Sequence, residues 1–169
     1  MREVLENEVR ERTMLGHRFA AAVEQESAAR AASLHDALTG VPNRVLFRDH
    51  LQHRIAQAVR HGRIFALMFV DLDNFKRIND EYGHSTGDRA LQLTARRLQT
   101  ITRSDDLVSR HGGDEFLYLA TDINEESNIP AIAEKIIAAV RTPFQVGGAD
   151  DDISVSVQAS VGIAVSPRH

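Results

Sequence analysis

Two adjacent glycines set between alternating apolar runs constrain this chain more than any other feature. The stretch reads Arg110-His111-Gly112-Gly113-Asp114-Glu115-Phe116. Val108 and Arg110 alternate before it, and Phe116, Tyr118 and Ala120 alternate with Leu117 and Leu119 after it. That pattern predicts a β-hairpin whose two-residue Gly112-Gly113 loop takes positive φ. Two carboxylates follow at once, where Asp suits a strand poorly and adjacent charge brings no packing gain. The turn therefore reads as a site that meets something positive.

With 169 residues, 43% of them hydrophobic, the chain can hold one domain with a proper core and an appended element. A net charge of −4 offers no broad basic surface for DNA or RNA, although a local patch can still hold a nucleotide. Cysteine is absent, which excludes a disulfide framework and thiolate metal sites and accords with a reducing cytoplasm. The first residues carry no apolar export segment, and the longest apolar run is Ile64 to Val70. No membrane contact is expected of this chain, although a longer parent could be anchored through other domains.

Residues 1–35 are rich in Glu, Arg and Ala and free of Pro, which predicts a long helix. Leu5, Val9, Phe19 and Val23 share a coiled-coil seam that Arg12, Gly16 and Glu26 interrupt. Pairing with a second copy, a solvated helix and docking on another domain all stay open. Gly40 and Pro42 end the helix, so a domain is expected over 36–169. Within it the periodicity predicts a helix over 45–61 with Val45, Leu46, Leu51, Ile55 and Val59 inward, then a buried strand from Ile64 ending in Asp71-Leu72-Asp73. A polar turn through Asn79 and Gly83 leads to a helix over 86–102 with Ala90, Leu91, Leu93, Leu98 and Ile101 inward. After the hairpin come a helix over 129–141, a strand over 144–146 and a strand over 153–165. Helices between mostly hairpin-linked strands predict an α+β domain with an antiparallel sheet.

If the strand ending at Asp73 neighbours the hairpin, Asp71, Asp73, Asp114 and Glu115 converge on one sheet edge. Mg²⁺ wants oxygen ligands, commonly one or two carboxylates with phosphates and waters, and the Leu72 carbonyl can add another. Side chains alternate along a strand, so Asp114 and Glu115 are expected on opposite sides, with one of them a direct ligand. The plain alternative is solvated strand ends, which is stronger for Asp73 alone than for Asp71 with Asp114. His50 and His53 share a helical face without further ligands, and Asp150 to Asp152 read as a solvated loop.

Asp36-Ala37-Leu38-Thr39-Gly40-Val41-Pro42-Asn43-Arg44, Asp71 to Asp80, Gly83 to Asp88 and the Gly-Gly-Asp-Glu-Phe turn together resemble, in order and spacing, the motifs of the GGDEF family of diguanylate cyclases. The resemblance implies a palm-like α+β domain, a largely antiparallel five-stranded sheet surrounded by helices, preceded by an N-terminal signalling helix. It implies Mg²⁺, with Mn²⁺ possible, held by Asp71, the Leu72 carbonyl and Asp114, with Glu115 as the base at a ribose 3′-hydroxyl. Asn79 and Asp88 would read guanine with His84 beside them, and Asn74, Phe75 and Lys76 would contact phosphates. An acid that accepts from guanine N1 and N2 cannot do so with adenine. Arg103 and Asp106 fit the family's inhibitory site for the cyclic di-GMP product, the plain alternative being a surface ion pair. The implied reaction joins two GTP into cyclic di-GMP with release of two pyrophosphates, in a homodimer of half-sites. Family members continue past a strand like Ser160 to Ala164 into a helix whose Lys and Arg grip the triphosphate, then a last strand. The present sequence ends at His169, so weak or no activity is expected of it alone. The rival readings are a non-catalytic GTP- or cyclic-di-GMP-binding regulatory domain and an interaction module working through its helix.

Overall fold

The computed structural model describes residues 12, 14, 16–26, 29, 33–146 and 153–166. The chain divides into two compact units, Met1–Leu34 and His35–His169. In the first, residues 16–26 are helical, and Phe19 and Val23, one turn apart, are exposed. Leu5 and Val9 of the expected seam lie outside the described residues.

The second unit opens with a tight turn. Gly40 N–H donates to the Asp36 carbonyl at 2.8 Å, and the Asp36 side chain accepts from Thr39 N–H at 2.9 Å and its hydroxyl at 2.6 Å. Asn43 then caps helix α1 (Arg44–His61), its side-chain oxygen accepting from Val45 N–H at 2.9 Å and Leu46 N–H at 3.2 Å. Strand β1 (Ile64–Asp73) leads into α2 (Phe75–Tyr82) and α3 (His84–Ile101). The hairpin is β2 (Leu107–Gly112) and β3 (Glu115–Ile123). A 3₁₀ turn, α4 (Ile129–Arg141), β4 (Phe144–Val146), β5 (Ile153–Val155) and β6 (Gln158–Ser166) complete the order.

The central sheet has four strands in the order β2-β3-β1-β6, every neighbour antiparallel. The fold is α+β as expected, with four strands rather than five in this sheet among the described residues. The strand expected over 153–165 is broken by Ser156 and Val157, and its first part pairs with β4 as a separate ribbon. Phe144 and Val155, opposite each other there, are buried in the core, so the ribbon packs through its side chains instead of extending the sheet edge.

Both sheet faces are covered. Ala66, Met68, Val70 and Leu72 of β1 lie in one core with Phe116, Tyr118 and Ala120 of β3 and with α3 and α4. Phe65 and Leu67 lie on the other face with Leu117, Leu119 and Phe47, Leu51 and Ala58 of α1. This is why β3 is buried at every position from Phe116 to Thr121 despite its alternating sequence. Each such large apolar side chain contributes roughly 1.5–3 kcal/mol by burial. On α1 the inward stripe runs Phe47, Leu51, Arg54, Ala58, while Val45, Ile55 and Val59 are exposed, contrary to expectation. Arg54 disguises that stripe: it is half-buried and its guanidinium reaches out to donate to the Asp105 carbonyl at 3.2 Å. The expected polar turn through Asn79 is helix α2, anchored by buried Phe75 and Ile78 with an Arg77–Glu81 ion pair at 3.8 Å on its outer face. Arg97 ties α3 to the segment after α4, donating to the Thr142 carbonyl and, at 2.8 Å, to the Pro143 carbonyl while lying 4.1 Å over the Phe144 ring. No helix among the described residues is long and apolar enough to cross a membrane.

Candidate active site

The end of β1 places its acids through register. Asp71 stands directly opposite Glu115 of β3 on one side and Ser160 of β6 on the other. Opposed residues of neighbouring strands share a face, so Asp71 and Glu115 project together from the face that carries Phe65 and Leu67 further back. Cover thins out toward that end: Phe69 is 38% exposed and meets His111 edge to face at 6.0 Å. Asp73, next on the same face, accepts from the Ser160 hydroxyl at 2.8 Å.

The hairpin loop is one residue further along than expected. Gly112 pairs with Glu115, so the loop is Gly113-Asp114, with Gly113 at φ +54 where glycine carries no Cβ penalty. The register shifts between Arg110 and Gly112, leaving His111 as the extra residue of a bulge. Asp114 is therefore a turn residue and not the alternate neighbour of Glu115 on a strand. Its carbonyl accepts the Leu72 N–H at 3.3 Å, which closes the turn onto the end of β1.

Arg110 holds this turn from below. Its guanidinium donates to the Gly113 carbonyl at 2.7 and 3.0 Å and to the Asp36 carboxylate at 3.0 and 3.3 Å, joining the opening turn to the hairpin. Sequence reasoning passed over both residues as site-builders, although each stands in a motif it singled out. Burial pushes the Asp36 carboxyl up, but the Thr39 hydroxyl and N–H and the Arg110 guanidinium outweigh it, so the carboxyl lies below its ordinary 3.8. A depressed carboxyl contributes stability that is present above the unfolded value and lost as pH falls through the folded one. Urea unfolding between about pH 5 and 2 should therefore lose stability more steeply in the native chain than in Asp36→Asn; equal slopes would remove Asp36 as a source of acid sensitivity.

The second wall is the α2–α3 pair. Asn74 takes a left-handed conformation, φ 56 and ψ 27, and its side chain makes no capping hydrogen bond to α2, although its carbonyl accepts the Arg77 N–H at 2.9 Å. Helix-start N–H groups that no cap side chain engages suit an anion. Phe75 is buried and Lys76 exposed. Asn79 is half-buried near the end of α2, while His84 and Asp88, both exposed and four apart, share a face at the start of α3.

Arg103 and Asp106 follow α3 on another side. Asp106 is tied to β3, accepting from Thr121 N–H at 2.8 Å and from the Tyr118 hydroxyl at 3.1 Å. Burial first, then the Asp106 charge, pushes the Tyr118 phenol up to about 12. No ion pair joins Arg103 to Asp106 among the described residues, and both line a polar cavity of about 280 Å³ with Asn124, Asn128 and Lys135. His53 is exposed and its Nδ1 donates to the Asp49 carbonyl at 2.8 Å, while Asp150 to Asp152 lie outside the described residues.

Asp71, Asp114 and Glu115 have no cationic side-chain partner among the described residues, which leaves an all-oxygen, negatively charged donor set suited to a hard divalent cation. Among those residues no three acidic or imidazole groups form a cage by themselves. A hard cation here would complete its shell with phosphate and water oxygens.

Residues 33–169 match the family described as diguanylate cyclase, GGDEF domain. The chain belongs to the GGDEF family. This GGDEF chain is 42% identical over 135 residues to the bifunctional diguanylate cyclase/cyclic di-GMP phosphodiesterase MucR of Pseudomonas aeruginosa, a match covering 80% of the chain and 19% of MucR. It is 39% identical over 134 residues to the cyclic di-GMP phosphodiesterase PdeR of Escherichia coli, covering 79% of the chain and 19% of PdeR. The solved GGDEF domain of TpbB from Pseudomonas aeruginosa superposes with a TM-score of 0.75 at 38% identity, covering 80% of this chain and 77% of that one. The match spans about a fifth of the length of MucR and PdeR, 19% of each.

Proposed function

We propose that this GGDEF domain joins two GTP molecules into cyclic di-GMP with release of two pyrophosphates, as a homodimer in which each copy holds one GTP. The observation that carries the reading is the register that sets Asp71 opposite Glu115 with Asp114 in the adjoining turn, all without cationic partners among the described residues, beside the uncapped start of α2. Asn74, Phe75 and Lys76 hold phosphate oxygens through the helix-start N–H groups and the Lys76 ammonium. Asn79 and Asp88 hydrogen-bond the guanine edge, with His84 alongside. Asp71, the Leu72 carbonyl and Asp114 would hold Mg²⁺ or Mn²⁺, which when bound supplies Lewis-acid charge to the phosphates. Glu115 takes the proton from a ribose 3′-hydroxyl as that oxygen bonds to the α-phosphorus of the partner's GTP and the bond to pyrophosphate breaks. Two such transfers close the ring. The exposed Phe19 and Val23 on the first unit's helix fit pairing with a second copy, making that helix the device that brings two domains together. GTP as the substrate fits a cytoplasmic location.

Asp88→Ala is the direct test of guanine reading. It should weaken GTP binding by about 1–3 kcal/mol, because donors on the base are left unpaired, and leave ATP binding unchanged. Calorimetry reads this, and unaltered GTP affinity would remove the assignment. At the product site, Arg103→Ala should relieve inhibition by added cyclic di-GMP while turnover persists, since the guanidinium's bidentate contact is lost. Superimposable inhibition curves would return Arg103 to an ordinary surface cation.

The likeness to PdeR, named a phosphodiesterase, favours a second reading in which the domain binds GTP or cyclic di-GMP and regulates another module without turnover. Product chromatography after incubation of the full-length protein carrying this domain with GTP and Mg²⁺ separates the two: nucleotide bound but never converted supports regulation.

A further inference from the structure

We infer that Gly87 is a positioning residue for guanine recognition, its missing side chain leaving the seat in which the Asn79 carboxamide is held next to Asp88. The inference rests on the proposed guanine-reading role of Asn79 and Asp88, and deepens it.

Helices α2 and α3 are joined by the single residue Gly83, and the backbone links Asn79, Gly83 and Gly87 in series. Gly83 N–H donates to the Asn79 carbonyl at 2.9 Å, and Gly87 N–H donates to the Gly83 carbonyl at 3.2 Å. At Gly87 the two helices come close enough that a Cβ would lie 1.9 Å from Asn79 Oδ1, 3.0 Å from its Cγ and 3.2 Å from Phe75 Cζ. Atoms do not approach to 1.9 Å without a bond. Among the other described glycines, Gly16, Gly40, Gly62, Gly83, Gly112, Gly113 and Gly162, a Cβ would meet nothing within 4 Å. Gly87 thus stands apart: close approach sets it, and it lies inside an 18-residue helix where alanine is the better helix former.

The obstructing atom decides what a substitution does. Asn79 Oδ1 is the free end of a rotatable side chain, so a methyl group at position 87 is relieved by swinging the carboxamide away, without parting the helices. The loss then falls chiefly on the direction in which Asn79 offers its donors and acceptors, while the Phe75 ring, whose Cζ would lie 3.2 Å from the new methyl, shifts slightly within a core that Ile78, Ala90 and Leu91 still hold. Asp88 follows Gly87 in the chain, so a single helical step carries both the seat for one reader and the other reader itself.

The test is a cycle of Gly87→Ala, Asn79→Ala and the double variant in this chain, with GTP and ATP binding in Mg²⁺ followed by calorimetry and folding by thermal melting. Each single variant should weaken GTP about tenfold and leave ATP unchanged, and the double variant should be no weaker than Asn79→Ala alone. That lack of additivity is what a general packing role for Gly87 would not produce. Full GTP affinity in Gly87→Ala beside a loss in Asn79→Ala, or losses that multiply in the double variant, would overturn the proposal and leave the role of Asn79 standing. An Asn79→Ala protein that binds GTP normally would instead remove the role of Asn79, and the proposal with it. If Gly87→Ala does not fold, the double variant decides: recovered folding with the affinity of Asn79→Ala supports the seat, and failure to fold overturns it.

Discussion

In a full-length protein carrying this domain, Asp71→Asn should cut the rate of cyclic di-GMP formation from GTP by at least about a hundredfold while leaving the domain as stable as before, or slightly more so. The two effects separate because of the register. Asp71 faces Glu115 across neighbouring strands and Ser160 on the other side, with no cation nearby among the described residues to offset the repulsion between the two carboxylates. Like charges set opposite each other destabilise a strand pair by roughly 0.2–1 kcal/mol, so an isosteric amide relieves strain in the resting protein. The same amide removes a formal charge from the donor set proposed to hold the divalent cation, and with it the attraction that orders triphosphate against the hairpin. Product chromatography at saturating GTP gives the rate, urea unfolding gives the stability, and Mn²⁺-induced proton relaxation with GTP present reports metal binding apart from turnover. Undiminished turnover together with undiminished Mn²⁺ binding would remove Asp71 from the metal site.

The largest effect on stability is expected at Phe116, the aromatic residue that follows the paired acids. It is fully buried, stands opposite Val70 on the central strand and joins the core beneath α3 and α4. Phe116→Ala should cost about 3–5 kcal/mol, a large share of the 5–15 kcal/mol by which a domain is usually stable. Phe69, another aromatic near the site, is 38% exposed and should cost far less when truncated. Urea midpoints for the two variants measure the contrast. Comparable losses would mean that the cavity at Phe116 collapses freely.

The hairpin, the strand from Ile64 and the helix over 129–141 were readable because apolar periodicity and glycine punctuation agreed there. Helix α2 was hidden by its composition, since two buried side chains, Phe75 and Ile78, carry no repeating stripe across eight residues. The face of α1 was misjudged because its true stripe contains Arg54 and small Ala58, while the bulky Val59 points to solvent. The loop slipped by one residue because a bulge at His111 leaves no trace in alternation. Motifs named the acids of the candidate site, but which of them face each other is a property of register, invisible until β1 and β3 are paired. The Arg110–Asp36 clamp joins residues 74 apart, beyond the reach of any local pattern.

That register also bears on how errors in folding are handled. Along β1 the chain alternates between two fates, with Met68, Val70 and Leu72 turned to the main core and Phe69, Asp71 and Asp73 to the opposite face. A slip of one residue against β3 would drive both aspartates into the dry layer now filled by Val70 and Leu72 and would turn those side chains to the thinly covered end of the opposite face. Burying unpaired carboxylates is so unfavourable that such a chain would fail to complete its core, leaving it open to proteolysis. A folded molecule with its acids misdirected is therefore a poorly populated species, and the hydrophobic interior acts as the inspector of the acidic edge.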